Sequence, residues 1–274
     1  MVNSHGRFVW YELITTDREI AKTFYASVVG WGTREASMPS SPYGLFTIGD
    51  APVAGLVNVP EDTRGTGTTP HWIGYVGVDD LDAAVARIEQ LGGAVYVPPT
   101  DVPNISRFSV VADPQMATLA LVTGRRPSQA QSAGLGTPGR VGWHELLAAD
   151  WEKAFAFYAE LFGWQKADSH FGAMGTYQGF SARGEPIGGM FTKPASLPLS
   201  FWLYYFNIDD IQAAARRVEA GGGQILYGPT EVPGGPWIVH CTDPLGAIFA
   251  LLDRRRRKAI IYFERGASRD PPIC

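Results

Sequence analysis

The sequence has little cysteine, little charge and no long apolar run. Only Cys241 and Cys274 occur among 274 residues, which argues against a disulfide framework and a cysteine-based zinc site. No apolar stretch reaches the roughly 18 residues that a membrane-spanning helix needs. Charged residues make up 18% of the chain and the net charge is -4, so no general attraction to nucleic acid is expected.

The two ends of the chain give no sign of a secretory signal or of a binding segment. Residues 1–7 have no basic start followed by an apolar stretch, as a secretory signal would, which predicts a cytoplasmic location. The basic run Arg254–Lys258 directly follows the last predicted strand, and we interpret it as a solvated tail. No predicted strand-to-helix turn holds a glycine-rich phosphate loop. We therefore expect no nucleic-acid and no membrane partner.

What the sequence does contain is a repeat. Residues 10–13 (WYEL) recur as residues 143–146 (WHEL), and residues 92–93 recur as 222–223. Self-similarity on this scale is typical of a duplicated structural unit. The duplication predicts a first domain at 1–124, a linker at 125–140, a second domain at 141–253 and a basic tail at 254–274. The linker is rich in Pro, Gly, Ser and Gln, as an exposed connection should be.

Each half contains a smaller repeated order of elements. Phe8–Thr15 is apolar, aromatic and β-branched, which predicts a strand. Asp17 is placed to cap a helix over Glu19–Val28, and Gly30 is placed to end it. Short strands separated by Gly and Pro follow. The next quarter repeats this order, with a helix over Leu81–Leu91, so the chain predicts four βαβββ modules and an α+β fold with mixed sheets.

This arrangement, with its aspartate cap, its Phe-Tyr and Gly-Trp pairs and its later Asp-Pro turn, resembles the vicinal oxygen chelate superfamily. Glyoxalase I, extradiol dioxygenases and bleomycin-resistance proteins belong to that superfamily. The chain is most similar to its two-domain actinobacterial branch, often labelled hydroxylase, whose members begin with Trp-x-Glu-Leu. The resemblance spans residues 7–253. It implies two tandem glyoxalase-like domains, each of which encloses one cavity between two modules.

The resemblance also implies where a metal ion would bind. Metalloenzymes of the superfamily hold a divalent ion with His, Gln or Glu on the first strand of a module and Glu on its last strand. The corresponding positions here are Trp10, Ile73, Trp143, Leu203, Ala120 and Ala250. Indole and aliphatic groups offer no lone pair to a cation. We therefore expect the usual metal site to be missing and leave the cofactor unknown, with a divalent metal possible only at other residues.

Strand alternation brings three titratable side chains to the predicted cavities. Glu12 shares a strand face with Trp10, and Glu145 shares one with Trp143. His71 shares a face with Ile73 and Tyr75. Glu12 and His71 could converge as an acid/base pair or as a two-ligand metal site, which the second half would lose because Phe201 replaces His71. The alternative, which we favour, is that each glutamate accepts hydrogen bonds at the cavity mouth and His71 merely lies near the strand start.

Four aromatic residues are candidates for ligand binding: Trp10, Tyr75, Trp143 and Tyr205. Their rings could stack on a flat organic ligand and offer N–H or O–H donors, although core filling explains them about equally well. We interpret Trp31 and Trp164, which follow the helix stops, as structural covers over the helix ends.

Two further histidines are not expected to act chemically. His144 lies on the opposite strand face from Glu145, equivalent to Tyr11, and we interpret it as packed against its helix. His240 stands beside Cys241, but neighbours on a strand point to opposite faces, which argues against a thiol-imidazole pair.

Three functions remain open. The first is a cavity protein without the usual metal site that binds a small organic molecule. The second is a lyase, isomerase or oxygenase that uses Glu12 with His71, around a divalent ion or without one. The third is an interaction protein with degenerate, filled cavities. A small molecule is the expected partner, and the chain is expected to be a monomer with internal pseudo-symmetry or a homodimer.

Overall fold

The computed structural model describes residues 4–36, 43–59, 68–124, 136–172 and 175–254. The first module consists of β1 (Phe8–Thr15), α1 (Arg18–Val29), β2 (Gly32–Ala36), β3 (Tyr43–Ile48) and β4 (Ala51–Asn58). The second consists of β5 (His71–Gly77), α2 (Leu81–Gln90), β6 (Ala94–Val102), β7 (Ser106–Ala112) and β8 (Thr118–Thr123).

The second half repeats this order. The third module consists of β9 (Val141–Ala148), α3 (Trp151–Phe162), β10 (Gln165–Gly172), β11 (Gly175–Ala182) and β12 (Glu185–Thr192). The fourth consists of β13 (Phe201–Asn207), α4 (Ile211–Ala220), β14 (Gln224–Glu231), β15 (Trp237–Thr242) and β16 (Ile248–Asp253). The predicted α+β class and the four βαβββ modules are confirmed.

Each half forms one eight-stranded mixed sheet, in the order β2-β3-β4-β1-β5-β8-β7-β6 and its copy β10-β11-β12-β9-β13-β16-β15-β14. The antiparallel pair β1 and β5 joins the two modules of the first half, and β9 and β13 do so in the second. Modules therefore pair within a half, which is the pairing that the family resemblance implies.

Local signals start and stop the helices as predicted. The Asp17 side chain accepts hydrogen bonds from the amides of Glu19 and Ile20, and Asp150 repeats this at α3. Helix α1 ends at Gly30, whose φ of 85° lies in the left-handed region that favours glycine. These short-range interactions require no tertiary contact, which explains why the sequence reveals them.

The two faces of each sheet have different neighbours. Tyr11 and Leu13 of β1 face the helices and join a hydrophobic core to which both halves contribute. Trp10 and Glu12 face the opposite side of the sheet. We call this side the concave face, because it is the side on which the family resemblance implies a cavity. The second half has a separate apolar cluster that includes Leu147, Leu203 and Ala250. The candidate functional residues of both halves therefore lie on the concave faces, away from the shared core.

The helix-bearing faces of the two halves pack on each other through reciprocal contacts. The indole N–H of Trp31 donates to the Gly139 carbonyl at 2.7 Å, and that of Trp164 donates to the Gly6 carbonyl at 2.7 Å. Both indoles are buried. They are structural, as expected, but their role differs from the predicted one, because each ties its helix end to the other half of the chain.

His144 also belongs to this interface, which corrects our expectation that it packs against its own helix. Its ring stacks on Phe8 with 4.0 Å between centroids, and its Nε2 lies 2.6 Å from the Tyr11 hydroxyl. Its Nδ1 lies 2.6 Å from the carbonyl of Ile187. A carbonyl only accepts, so Nδ1 carries the proton and Tyr11 donates to Nε2. Burial lowers the pKa of His144 to about 4, which keeps the ring neutral.

The basic run begins at the last residue that the structure describes. Arg254 is exposed, and its guanidinium donates to the Gly142 carbonyl at 2.7 Å. Residues 255–258 lie outside the described part of the chain. None of the described helices is long and apolar enough to cross a membrane.

Candidate functional site

The concave face of the first domain centres on Glu12. The Tyr43 hydroxyl donates to Glu12 Oε1 at 2.6 Å, and the Tyr75 hydroxyl donates to Oε2 at 2.8 Å. The indole N–H of Trp10 donates to the Tyr43 oxygen at 3.2 Å. A carboxylate that accepts from two phenols is held in one orientation, because both of its oxygens are engaged.

A glycine makes this arrangement possible. Gly55 of β4 lies opposite Glu12 in the parallel register, and a Cβ at Gly55 would lie 2.2 Å from the Tyr43 hydroxyl oxygen. Gly189 has the same role in the second domain, where a Cβ would lie 2.3 Å from the hydroxyl oxygen of Tyr177. Strand glycine at these positions admits the tyrosine hydroxyl to the glutamate.

The second domain repeats the arrangement around Glu145. The Tyr205 hydroxyl donates to Glu145 Oε1 at 2.9 Å, and the Tyr177 hydroxyl also hydrogen-bonds to the carboxylate. The indole N–H of Trp143 donates to the Tyr177 oxygen at 2.7 Å. The duplicated unit is therefore one glutamate, two tyrosines and one tryptophan in each domain.

The two copies differ in access. Glu12 and Tyr75 are half-buried, whereas Glu145 is 6% exposed and Tyr205 is 2% exposed. Leu147 and Phe191 pack over the second copy and are nearly inaccessible. Their counterparts Ile14 and Val57, matched by strand position, are half-buried. The concave face is thus partly open in the first domain and closed in the second.

Burial changes the pKa of Glu145 in the second domain. It raises the pKa of Glu145 to about 7, and the hydrogen bonds from Tyr205 and Tyr177 oppose the shift only in part. A carboxyl group with a pKa near 7 exists in both protonation states at neutral pH. Such a group is chemically suited to accept and to donate a proton.

His71 lies on the same face of its sheet as Glu12, but the two side chains have different surroundings. Glu12 pairs with Ile73 in the register of β1 and β5, and His71 pairs with Ile14. The Nδ1 of His71 lies 2.8 Å from the Thr69 carbonyl, so Nδ1 carries the proton. The structure gives Glu12 tyrosine partners, while the proposed pairing of Glu12 with His71 stays a hypothesis.

The residues do not fit the metal site that the family resemblance implies. Trp10, Ile73 and Ala120 occupy the concave face of the first domain where ligands would be needed, and each is buried and offers no lone pair to a cation. Trp143, Leu203 and Ala250 occupy the matching positions of the second domain. Within the described ranges, no group of three or more His, Cys, Asp or Glu residues is placed to hold a metal ion.

The sequence reasoning missed two site residues, Tyr43 and Tyr177, and it considered His240 only as a partner of Cys241. The two tyrosines recur with the duplication, one at the start of β3 and the other in β11, and that recurrence is the signal that would have found them. His240 lies on the concave face with its Nε2 at 2.7 Å from the Tyr205 hydroxyl, while Cys241 is buried in the core on the other face. The argument against a thiol-imidazole pair agrees with this arrangement.

A separate depression lies elsewhere on the first domain. It is open, has a volume of about 400 Å³, and is lined by residues 101–107 together with Thr123 and Gly124. It contains neither Glu12 nor its tyrosine partners. We therefore assign the candidate site to the concave face on the grounds of its chemistry.

Comparisons with known proteins agree with the duplicated architecture. The model of the Glyoxalase/Bleomycin resistance protein/Dioxygenase superfamily matches residues 7–121 and 140–251. "Putative glyoxylase CFP32" of Mycobacterium tuberculosis is 32% identical over 245 residues, which are 89% of this chain and 93% of that protein. "Anthracycline biosynthesis protein DauV" of Streptomyces sp. (strain C5) is 30% identical over 265 residues, which are 91% of this chain and 94% of that protein.

Solved structures share the fold at low identity. The Mn(II)-bound glyoxalase from Novosphingobium aromaticivorans superposes with a TM-score of 0.60 at 16% identity, covering 91% of this chain and 82% of that one. The 2,2',3-trihydroxybiphenyl 1,2-dioxygenase from Sphingomonas wittichii strain RW1 superposes with a TM-score of 0.64 at 13% identity, covering 91% of each chain. At these identities the likeness shows the fold alone.

Proposed function

The chain belongs to the Glyoxalase/Bleomycin resistance protein/Dioxygenase superfamily, and from that premise we propose that its first domain binds a small organic molecule on the concave face. Glu12 is the polar anchor of this site, and the site needs no resident metal ion. The observation that carries the proposal is the contrast in access between Glu12, which is half-buried, and its duplicate Glu145, which is closed off.

The chemistry of the first site selects its ligand. The Glu12 carboxylate accepts hydrogen bonds, so it favours a ligand that presents a hydroxyl or amine donor. The rings of Tyr75 and Phe108, whose centroids are 6.2 Å apart, lie half-buried beside it, and Val110 adds aliphatic surface. Aromatic walls around a few polar groups are typical of small-molecule sites. The ligand class is therefore a small, partly aromatic molecule with a hydrogen-bond donor.

The names of two relatives are compatible with this class. CFP32 is named as a glyoxylase and DauV as an anthracycline biosynthesis protein, and both names refer to the chemistry of small organic molecules. The metal-free part of the proposal rests on the residues of this chain, because Trp10, Ile73 and Ala120 stand where a cation would need donors.

Binding of 2-naphthol, a flat aromatic with one hydroxyl donor, tests the proposal. The protein is first dialysed against EDTA, and affinity is measured by calorimetric titration. We expect Glu12→Gln to weaken binding about tenfold, because the ligand hydroxyl would then donate to a neutral amide oxygen instead of a carboxylate, and the bond to the charged group is the stronger one. Naphthalene, which lacks the donor, should bind both forms equally. Glu89→Gln, at an exposed helix residue, is the matched control.

Three results would contradict the proposal. The first is equal affinity of the wild type and Glu12→Gln for 2-naphthol. The second is a loss of affinity caused by Glu145→Gln instead, which would move the ligand to the second domain. The third is binding that disappears after EDTA treatment and returns with a divalent ion, which would favour the metal-dependent alternative with Glu12 and His71.

A further inference from the structure

The second domain carries a polar pair that the first domain lacks. Tyr227 of β14 and His240 of β15 face each other in the register, where the first domain pairs Val97 with Val110. The rings of Tyr227 and His240 lie 5.4 Å apart between centroids. Two groups that can exchange protons thus stand where the first domain has two aliphatic groups. Packing alone does not require them, since the valine pair fills the same position in the other copy.

His240 extends the hydrogen-bond chain of Glu145 toward the edge of the sheet that β14 forms. Nε2 of His240 lies 2.7 Å from the Tyr205 hydroxyl, which lies 2.9 Å from Glu145 Oε1. The chain of bonds therefore runs from a carboxyl group on β9, through β13, to a histidine on β15. In the first domain Val110 occupies the position of His240, and its side chain has no polar atom that could extend such a chain.

The outer end of this chain is more exposed than its inner end. Glu145 and Tyr205 are closed off, His240 is half-buried, and Tyr227 on the edge strand β14 is 54% exposed. Among the described residues, the other titratable group that contacts Glu145 is Tyr177 of β11, and β12, β13 and β16 contribute Phe191, Leu203 and Ala250. Lys193, on the segment after β12, donates to the Leu197 carbonyl. The route through Tyr205 and His240 therefore links the acid to the sheet edge.

We propose that Tyr205 and His240 form a proton path that connects the buried Glu145 carboxyl group with solvent at the edge of the second domain. In the outward direction the carboxyl proton passes to the Tyr205 oxygen, and the proton of Tyr205 passes to Nε2 of His240. The proton on Nδ1 then leaves to water, so the tyrosine and the imidazole both end neutral. The reverse sequence restores the acid.

The protonation states suit this path. Burial lowers the pKa of His240 to about 4, so the ring is neutral and one of its nitrogens can accept while the other donates. Because its pKa is raised to about 7, Glu145 changes protonation state near neutral pH. The second domain then holds a buried acid that exchanges its proton with solvent through Tyr205 and His240, and this centre is distinct from the binding site proposed in the first domain.

Carbon-13 NMR of protein labelled at glutamate carboxyl groups tests the path. The Glu145 resonance is assigned by its loss in Glu145→Gln. In the wild type we expect one averaged resonance that moves through a midpoint near pH 7, because exchange through the path is fast. In His240→Val, which restores the residue of the first domain, we expect exchange about a hundredfold slower, the scale of a positioned proton-transfer group. The resonance should then broaden or split at the midpoint.

A second variant separates proton transfer from structural support. The amide of His240→Gln can still donate to Tyr205 but does not pass a proton on, so we expect slow exchange with an unchanged melting temperature. If His240→Val does not fold, the exchange rate measured in His240→Gln is sufficient to test the path. His170→Val, at an exposed histidine of the edge strand β10, is the matched control and should exchange as the wild type does.

The proposal is overturned if exchange in His240→Val or in His240→Gln is as fast as in the wild type. It is also overturned if the wild-type resonance is already split at its midpoint, or does not titrate between about pH 5 and 9, the range around the raised pKa. None of these results depends on ligand binding by the first domain, so the two proposals fail independently.

Discussion

A single carboxyl group, that of Glu145, has an energetic cost that can be measured. It lies in an apolar cluster with Leu147 and Leu203, and it retains two tyrosine hydroxyls as donors. The tyrosines satisfy its oxygens but do not replace the hydration of a full negative charge. The folded protein therefore favours the protonated form, and the pKa rises from 4.5 to about 7.

This shift predicts that the contribution of Glu145 to stability falls as the pH rises. Between pH 4.5 and about 7 the folded state holds a proton at Glu145 that the unfolded state has released, so this group lowers the free energy of unfolding with rising pH, while His144 and His240, whose pKa values are lowered, act in the opposite sense. The full contribution is about 3 kcal/mol. Urea denaturation across this range should show the free energy of unfolding of the wild type falling by that amount relative to Glu145→Gln, because the contributions of His144 and His240 are common to both proteins. Equal pH dependence in both proteins would contradict the shift, and Glu89→Gln serves as the exposed control.

At the scale of elements, strand register decides which side chains meet. Period-two alternation correctly predicts that Trp10 and Glu12 share a face. It does not reveal that β4 runs parallel beside β1 and brings Gly55 opposite Glu12. Nor does it reveal that β3, next in the sheet, delivers the Tyr43 hydroxyl over that glycine. Partners across strands are set by the order of strands in the sheet, which local pattern does not encode.

The substitution Gly55→Ala tests this interpretation of β4. The added methyl group would meet the Tyr43 hydroxyl, so Tyr43 must leave Glu12 or the strand must shift. We expect a loss of about 1–3 kcal/mol in the free energy of unfolding, typical of overpacking, together with weaker binding of 2-naphthol. Gly172→Ala is the matched control, because a Cβ on that strand glycine meets nothing within 4 Å. A neutral effect of Gly55→Ala would show that the close approach is not needed.

At the scale of the whole molecule, the same tyrosine-to-aspartate hydrogen bond joins the two halves at two equivalent places. The Tyr25 hydroxyl donates to Asp243 Oδ2 at 3.2 Å, and the Tyr158 hydroxyl donates to Asp113 Oδ2 at 3.0 Å. Each tyrosine comes from one half and each aspartate from the other. The interface therefore follows the same pseudo-symmetry as the sequence repeat, and neither half completes its core without the other.

Tyr25→Phe and Tyr158→Phe should therefore have matching effects. Each removes a buried bond to an aspartate and an acceptor for a tryptophan N–H, from Trp72 or from Trp202. We expect each to lower the free energy of unfolding by about 1–3 kcal/mol, and the double variant to lose about the sum, because the two sets share no residue. Chemical denaturation measures this, with Tyr96→Phe as an exposed control. A loss of stability in only one of the two single variants would contradict the view that the two hydrogen bonds are equivalent.

The sequence by itself determined the modular plan. The duplication, the aspartate caps, the glycine stops and the alternation of the first strands all depend on residues close together in the chain, and they led to the four modules and to Glu12 and Glu145. Only the tertiary structure decided which groups meet those glutamates. Tyr43 and Tyr177 reach them through strand order, and His240 reaches Tyr205, the partner of Glu145, in the same way. His144 became an interface residue because the two halves pack on their helix faces. Such contacts join distant parts of the chain, and their geometry exists only once both sheets have formed.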